Sequence, residues 1–152
     1  MKVPHGLLIC LLLATSCVAE LNSPADLQQK ADMAKGSDCA RLSMQAAQQL
    51  LTEADSDFRA SNMEAAHKQI DLVLHYVRRA VDCTLQTRKG EKSTDINLRE
   101  LTRRMNQVSK TLDSEDQPHL SQSITEMEAQ RDRVLHALFG DAAGKNRPEN
   151  KP

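Results

Sequence analysis

The chain has 152 residues, with 20 Lys and Arg against 21 Asp and Glu and a formal net charge of −1. That balance leaves no long-range field to hold nucleic acid or an anionic lipid surface, and an aromatic content of 2% with no Trp leaves no platform for stacked bases. Five Gly and five Pro are too few for a turn-rich β chain, whereas abundant Ala, Leu, Gln, Glu, Lys, Arg and Met favour helix, so the composition predicts one all-α domain.

The N-terminus, MKVPHGLLICLLLATSCVAE, places Lys2 before an apolar stretch from Gly6 to Ala14. Small residues follow, with Cys17 and Ala19 at the −3 and −1 positions of a cut before Glu20. This order predicts a secretory signal peptide over 1–19, too short for a membrane span, and a secreted or periplasmic chain. LLATSC also resembles a bacterial lipobox, in which Cys17 would carry a lipid anchor on the envelope; the usual Leu three residues before the Cys is absent.

Residues 20–36 read as a short helix. Ser23, Pro24 and Asp26 form a start signature, because Ser accepts an orphan N–H, Pro needs no donor there and Asp suits the positive helix end. Leu27 and Ala31 supply a thin apolar face, and Gly36 is the expected stop. A bundle domain over 37–140 follows. Ser37 or Asp38 is expected to cap a helix running to about Phe58, with Leu42, Ala46, Leu50, Ala54 and Phe58 on one face, widened by Ala47 and Leu51. A turn at Ala60–Asn62 leads to the strongest pattern, Met63 to about Thr87. There Met63, Ala66, Ile70, Val73, Val77, Ala80 and Thr84 alternate three and four apart, with Leu74 and Val81 beside them.

A charged loop from Arg88 to Ser93 is followed by a helix opening at Thr94 or Asp95, with Leu98, Leu101, Met105, Val108 and Leu112 as its stripe. The loop Asp113–Pro118 leads to a last helix carrying Leu120, Ile124, Met127, Val134, Leu135 and Leu138 and ending at Gly140. The tail 141–152 is predicted disordered. Four such amphipathic helices bury their stripes as an antiparallel bundle of two helical hairpins, and two stacked hairpins satisfy the same pattern.

Cleavage would leave two cysteines, Cys39 and Cys83, in an oxidising compartment. Their midpoint is residue 61, inside the expected turn, so an antiparallel hairpin places them side by side and a disulfide would close its open end. His67, Asp71 and His75 are four apart and share a helix face. Two imidazoles and a carboxylate so spaced could chelate a divalent metal once a further ligand arrives, and a solvated face with local ion pairs is the alternative. Glu53, Asp55 and Asp57 fail as a calcium loop, since Arg59 falls at the fifth position and Ala60 replaces the required Gly. Arg103 with Arg104, and Arg131 with Arg133, read as polar faces; His119 and His136 stand alone. No catalytic motif stands out, so no catalytic residue and no cofactor is assigned.

The segment FRASNMEAAHKQIDLVL, Phe58 to Leu74, resembles a tetratricopeptide hairpin: Phe58, Asn62, Met63 and Ala66 fill its aromatic, turn and small positions, while Ser61 stands where Gly is usual. The match spans some twenty residues and does not recur, which implies one repeat-like hairpin and not an array. The C-terminal half, Ser93 to Gly140, is similar to a helical domain type of small exported bacterial proteins, which implies helices and export and supplies no activity. These readings predict a non-enzymatic exported module that binds another protein or supports the envelope, with a periplasmic metal-handling bundle as the second reading.

Overall fold

The computed structural model describes residues 23–145, without the side chains of 141–145, and all regular structure among them is helical. The signal peptide and Cys17 lie outside the described residues. Five helices follow in order: α1 (Pro24–Met33), α2 (Gly36–Arg59), α3 (Met63–Thr87), α4 (Glu91–Ser109) and α5 (Gln117–Lys145).

The start of α1 follows its local chemistry. The Ser23 hydroxyl accepts from Asp26 N–H at 3.2 Å and the Asp26 carboxylate accepts from Ser23 N–H, a reciprocal capping box. Its end differs from expectation, since α1 stops at Met33 and Gly36 is the first residue of α2. Gly36 has φ +60°, a left-handed backbone that reverses the chain between the two helices at no Cβ cost. Neither Ser37 nor Asp38 caps α2; Lys35 holds that position without a side-chain bond.

The turn between α2 and α3 falls where expected. Ser61 N–H donates to Phe58 O at 3.0 Å and Asn62 N–H to Asp57 O at 2.8 Å, satisfying carbonyls at the end of α2. The heptad face of α3 is buried from Ala66 to Thr84, and Met63 packs at its margin. The next loop is shorter than predicted, because Arg88 (φ +52°) and Gly90 (φ +82°) turn the chain within three residues. Thr94 and Asp95 therefore lie inside α4, both buried. Pro118 lies in the first turn of α5, where its missing N–H costs nothing. That helix continues through Gly140 to Lys145, so residues 141–145 are helical where a disordered tail was expected.

Within each hairpin the helices are antiparallel. Cys39 meets Cys83 across α2 and α3, and Asp95 meets Arg131 across α4 and α5. Between hairpins the helices run parallel. Asp71 meets His119, Arg78 meets Glu126 and Asp82 meets Arg133 across α3 and α5, while Gln48 meets Asn97 and Thr52 meets Arg104 across α2 and α4. The sequence separations are 48, 48, 51, 49 and 52 residues. One nearly constant offset means that the second hairpin repeats the placement of the first, about 50 residues on, although the sequence motif does not recur. Leu51, Ile70, Val73, Leu98, Leu101, Met105, Leu120 and Met127 are sealed from solvent between the hairpins. α1 packs along α2, and Arg79 of α3 donates to the carbonyls of Ala31, Asp32 and Ala34 at its end.

Candidate functional site

The two parallel seams differ. Helices α3 and α5 pack intimately, whereas α2 and α4 meet sparsely and leave a groove along their shared face. The reason lies in the residues. Opposite its apolar stripe, α2 carries Ser37, Arg41, Gln45, Gln48, Thr52, Asp55 and Arg59, spaced three and four apart, so they line up along one side. On α4, Ser93, Asn97, Arg104 and Gln107 fall on the facing side, and Thr111 continues it beyond the helix end. Polar stripes at heptad spacing face each other where an apolar seam would have closed.

Two hydrogen bonds cross the middle of this groove. Gln48 Nε2 donates to Asn97 Oδ1 at 3.4 Å, and an Arg104 terminal nitrogen donates to Thr52 Oγ1 at 2.9 Å. On one side of them a cleft of about 340 Å³ is floored by Met44 and walled by Arg41, Gln45, Lys89 and Ser93. On the other a cleft of about 170 Å³ is floored by Leu51 and Val108 and walled by Asp55, Arg59 and Gln107. The charged walls are locally tied: Arg41 bonds Asp38 at 3.0 Å and Arg59 bonds Asp55 at 2.8 Å. Amide and hydroxyl walls above apolar floors can hydrogen-bond a peptide backbone while seating alternate side chains. The sequence reading missed these residues as a site. Their signal was the heptad spacing of uncharged polar residues on two helices, which alone reads as solvated surface.

The alternative of a chelating face at His67, Asp71 and His75 finds no support among the described residues. His67 Nε2 lies 3.5 Å from Asp116 and its ring contacts Phe58 and His119, with centroids 5.6 and 4.6 Å away. Asp71 is instead engaged by His119 Nε2 at 3.1 Å, and His75 lies edge-on to Tyr76. Among the described residues no group of three metal-ligating side chains converges. Asp71 and His75 stay exposed on this face, as the solvated alternative has it, while ion pairs to Asp116, His119 and Glu126 from the loop and α5 engage His67, Asp71 and Arg78.

Glu53, Asp55 and Asp57 are likewise dispersed: Asp55 pairs with Arg59 and Asp57 accepts from Asn62 Nδ2. Burial raises the Glu53 carboxyl above its ordinary range, and the Asp57 charge adds to the effect. Arg103 pairs with Glu100, Arg133 with Asp82, and His136 lies beneath Gly140.

Cys39 and Cys83 are brought together at disulfide distance, with sulfurs 1.97 Å and Cα atoms 6.0 Å apart. They line a groove of about 650 Å³ with His75, Arg78, Arg79 and Asp82. No helix among the described residues is long and apolar enough to cross a membrane. No protein-family model, curated protein or solved structure matches the chain.

Proposed function

We propose that this chain is a non-enzymatic, exported protein-interaction module whose α2–α4 groove takes an extended segment of another protein. The observation that carries the reading is the pair of facing polar stripes, bridged at Gln48–Asn97 and Thr52–Arg104, with apolar floors on either side. Such a surface can pair with peptide N–H and C=O groups, because its amides and hydroxyls exchange bonds to water or to each other for bonds to the peptide at little net cost, while the apolar floors supply the driving force. The two hairpins, repeated about 50 residues apart with α1 along α2, read as a short helical stack, and this reading keeps Phe58–Leu74 as its one tetratricopeptide-like hairpin. Export with cleavage before Glu20 agrees with a bridged Cys39–Cys83 pair, and intact mass from the envelope fraction separates that form from one carrying lipid on Cys17.

The test is selection of extended peptides from a random display library on the mature protein. Selected peptides should bind with micromolar affinity and lose at least tenfold in a Gln48→Ala, Asn97→Ala double variant, while Ser121→Ala on α5 leaves them unchanged. Failure to select any binder, or binders indifferent to the groove substitutions, overturns the reading.

A further inference from the structure

The bridge joins two sulfurs of unequal access. Cys39, in the first turn of α2, is 1% exposed, whereas Cys83 is partly exposed to the groove that both line. Thiol–disulfide exchange requires in-line approach of a thiolate to one sulfur while the other leaves along the same axis. Both residues line the groove, and the greater exposure of Cys83 makes its sulfur the easier of the two to approach. The leaving group is favourably placed too. Cys39 sits in the first turn of α2, whose positive end offsets part of the cost of a thiolate at a buried sulfur, whereas Cys83 lies toward the carbonyl end of α3, which offers no such offset.

The groove also selects charge. Lys35, Arg78, Arg79 and His75 line it, and its one acidic side chain, Asp82, is taken by Arg133 at 2.8 Å. Arg78 is partnered by Glu126, but Arg79 directs its donors to the neutral carbonyls of Ala31, Asp32 and Ala34. The lining therefore carries a surplus of positive charge beside the reactive sulfur.

We propose that Cys83 is a modification site for small anionic thiols, the tripeptide glutathione being the probe of that class. The thiolate attacks Cys83 Sγ and forms a new S–S bond, while the Cys39–Cys83 bond breaks and its electron pair leaves on Cys39 as a thiolate. No net oxidation occurs, and no other reactant is consumed. The inference takes the bridge as closed, which intact mass before and after alkylation establishes independently.

Mature oxidised protein is incubated with reduced glutathione, quenched in acid, alkylated and mapped by mass spectrometry. Glutathione should be found on Cys83 and the alkylating group on Cys39, at least tenfold over the reverse arrangement. A Cys39→Ser variant should take up glutathione from its disulfide without unfolding, whereas Cys83→Ser should react only in denaturant. Glutathione should also react several-fold faster than the cationic thiol cysteamine, once each rate is corrected for its thiolate fraction, and salt should narrow the gap. Adducts on Cys39, equal labelling, or no adduct until the chain is unfolded would overturn the proposal; so would equal corrected rates for the two thiols.

Discussion

Arg131 Nε donates to Asp95 Oδ1 at 2.7 Å, tying the middle of α5 to the first turns of α4 through a side chain that is 10% exposed. Arg99 reaches the second oxygen at 3.3 Å from one turn further along α4. A buried carboxylate is tolerated only when paired, and removal of one partner leaves it short of compensation. Arg131→Ala should therefore destabilise the chain by about 2–3 kcal/mol, less than for an isolated buried pair because Arg99 remains. Urea unfolding followed by circular dichroism measures this. Replacing Asp95 and Arg131 together by Leu should cost less than Arg131→Ala alone. A larger loss in the double variant would show that the pair is not a desolvated charge held by its partner.

A second buried polar link joins α3 to α4. Thr84 Oγ1 donates to Ala80 O at 2.8 Å and lies 2.8 Å from Thr94 Oγ1, so with Thr84 donating to the carbonyl, Thr94 donates to Thr84. Thr84→Val keeps the shape and strands the Thr94 hydroxyl, at a cost of about 1–3 kcal/mol. The Thr84→Val, Thr94→Val pair should fall well short of the sum of the single losses, because no buried donor is then left unpaired. Additive losses in a double-mutant cycle would contradict this coupling.

The contrast between these links and the hydrophobic stripes shows what a sequence can and cannot display. Ile70, Val73, Val77 and Ala80 announce a buried face by spacing alone, because period and burial are both local properties of one helix. Asp95 announces the opposite. By composition it reads as a helix start, and it is the arrival of Arg131 from 36 residues away, beside Arg99 of its own helix, that pairs both of its oxygens and makes burial tolerable. The α2–α4 groove was unreadable for a related reason. Gln48 and Asn97 each look like solvated surface, and their meeting depends on the hairpins stacking in parallel, which no single helix encodes. His67 and Asp71 were legible as neighbours on one face but not as partners of Asp116 and His119, which come from another element. The cysteine pair was legible because a hairpin's register follows from its turn.

Ser61 occupies φ +60° in the α2–α3 turn, where a side chain is disfavoured and Gly is usual. Its substitution by Gly removes that strain and gives back part of the gain as chain entropy in the unfolded state. Ser61→Gly should thus raise stability by about 0.5–1 kcal/mol, read as an upward shift of the urea midpoint with unchanged slope. A destabilised variant would mean that the serine makes a compensating contribution in the turn.

Arg79 fastens α1. Its guanidinium donates to Ala31 O at 3.2 Å, Asp32 O at 2.7 Å and Ala34 O at 3.3 Å, supplying donors to carbonyls at and just past the end of a helix that buries only Ala31 fully. Arg79→Ala should release α1 while leaving the hairpins folded. Amide exchange over residues 24–34 should accelerate at least tenfold, with little change in α4 and α5. Lys in its place should rescue poorly, because an ammonium cannot spread its donors across three carbonyls. Uniform acceleration across all five helices would show that α1 and the hairpins unfold as one unit.

Tyr76, the chain's single tyrosine, is buried beneath α1 and donates to Asp32. Burial pushes its phenol up to about 12, and the Asp32 carboxylate adds to the shift through its charge and the hydrogen bond, against a smaller opposing effect from Arg79. The folded chain then holds this proton through a range in which the unfolded chain has already released it. Its contribution is complete below the ordinary phenol value near 10 and is lost as pH rises toward 12. At pH 11 the loss is about 1–1.5 kcal/mol by linkage. With one tyrosine, absorbance near 295 nm reports the ionisation of Tyr76 alone, and its midpoint in the folded protein should lie well above 10. Tyr76→Phe should flatten the fall in urea stability between pH 9 and 11, leaving only the slope from other groups. A phenol that titrates near its ordinary value while the helices stay intact would mean that α1 does not shield it in solution.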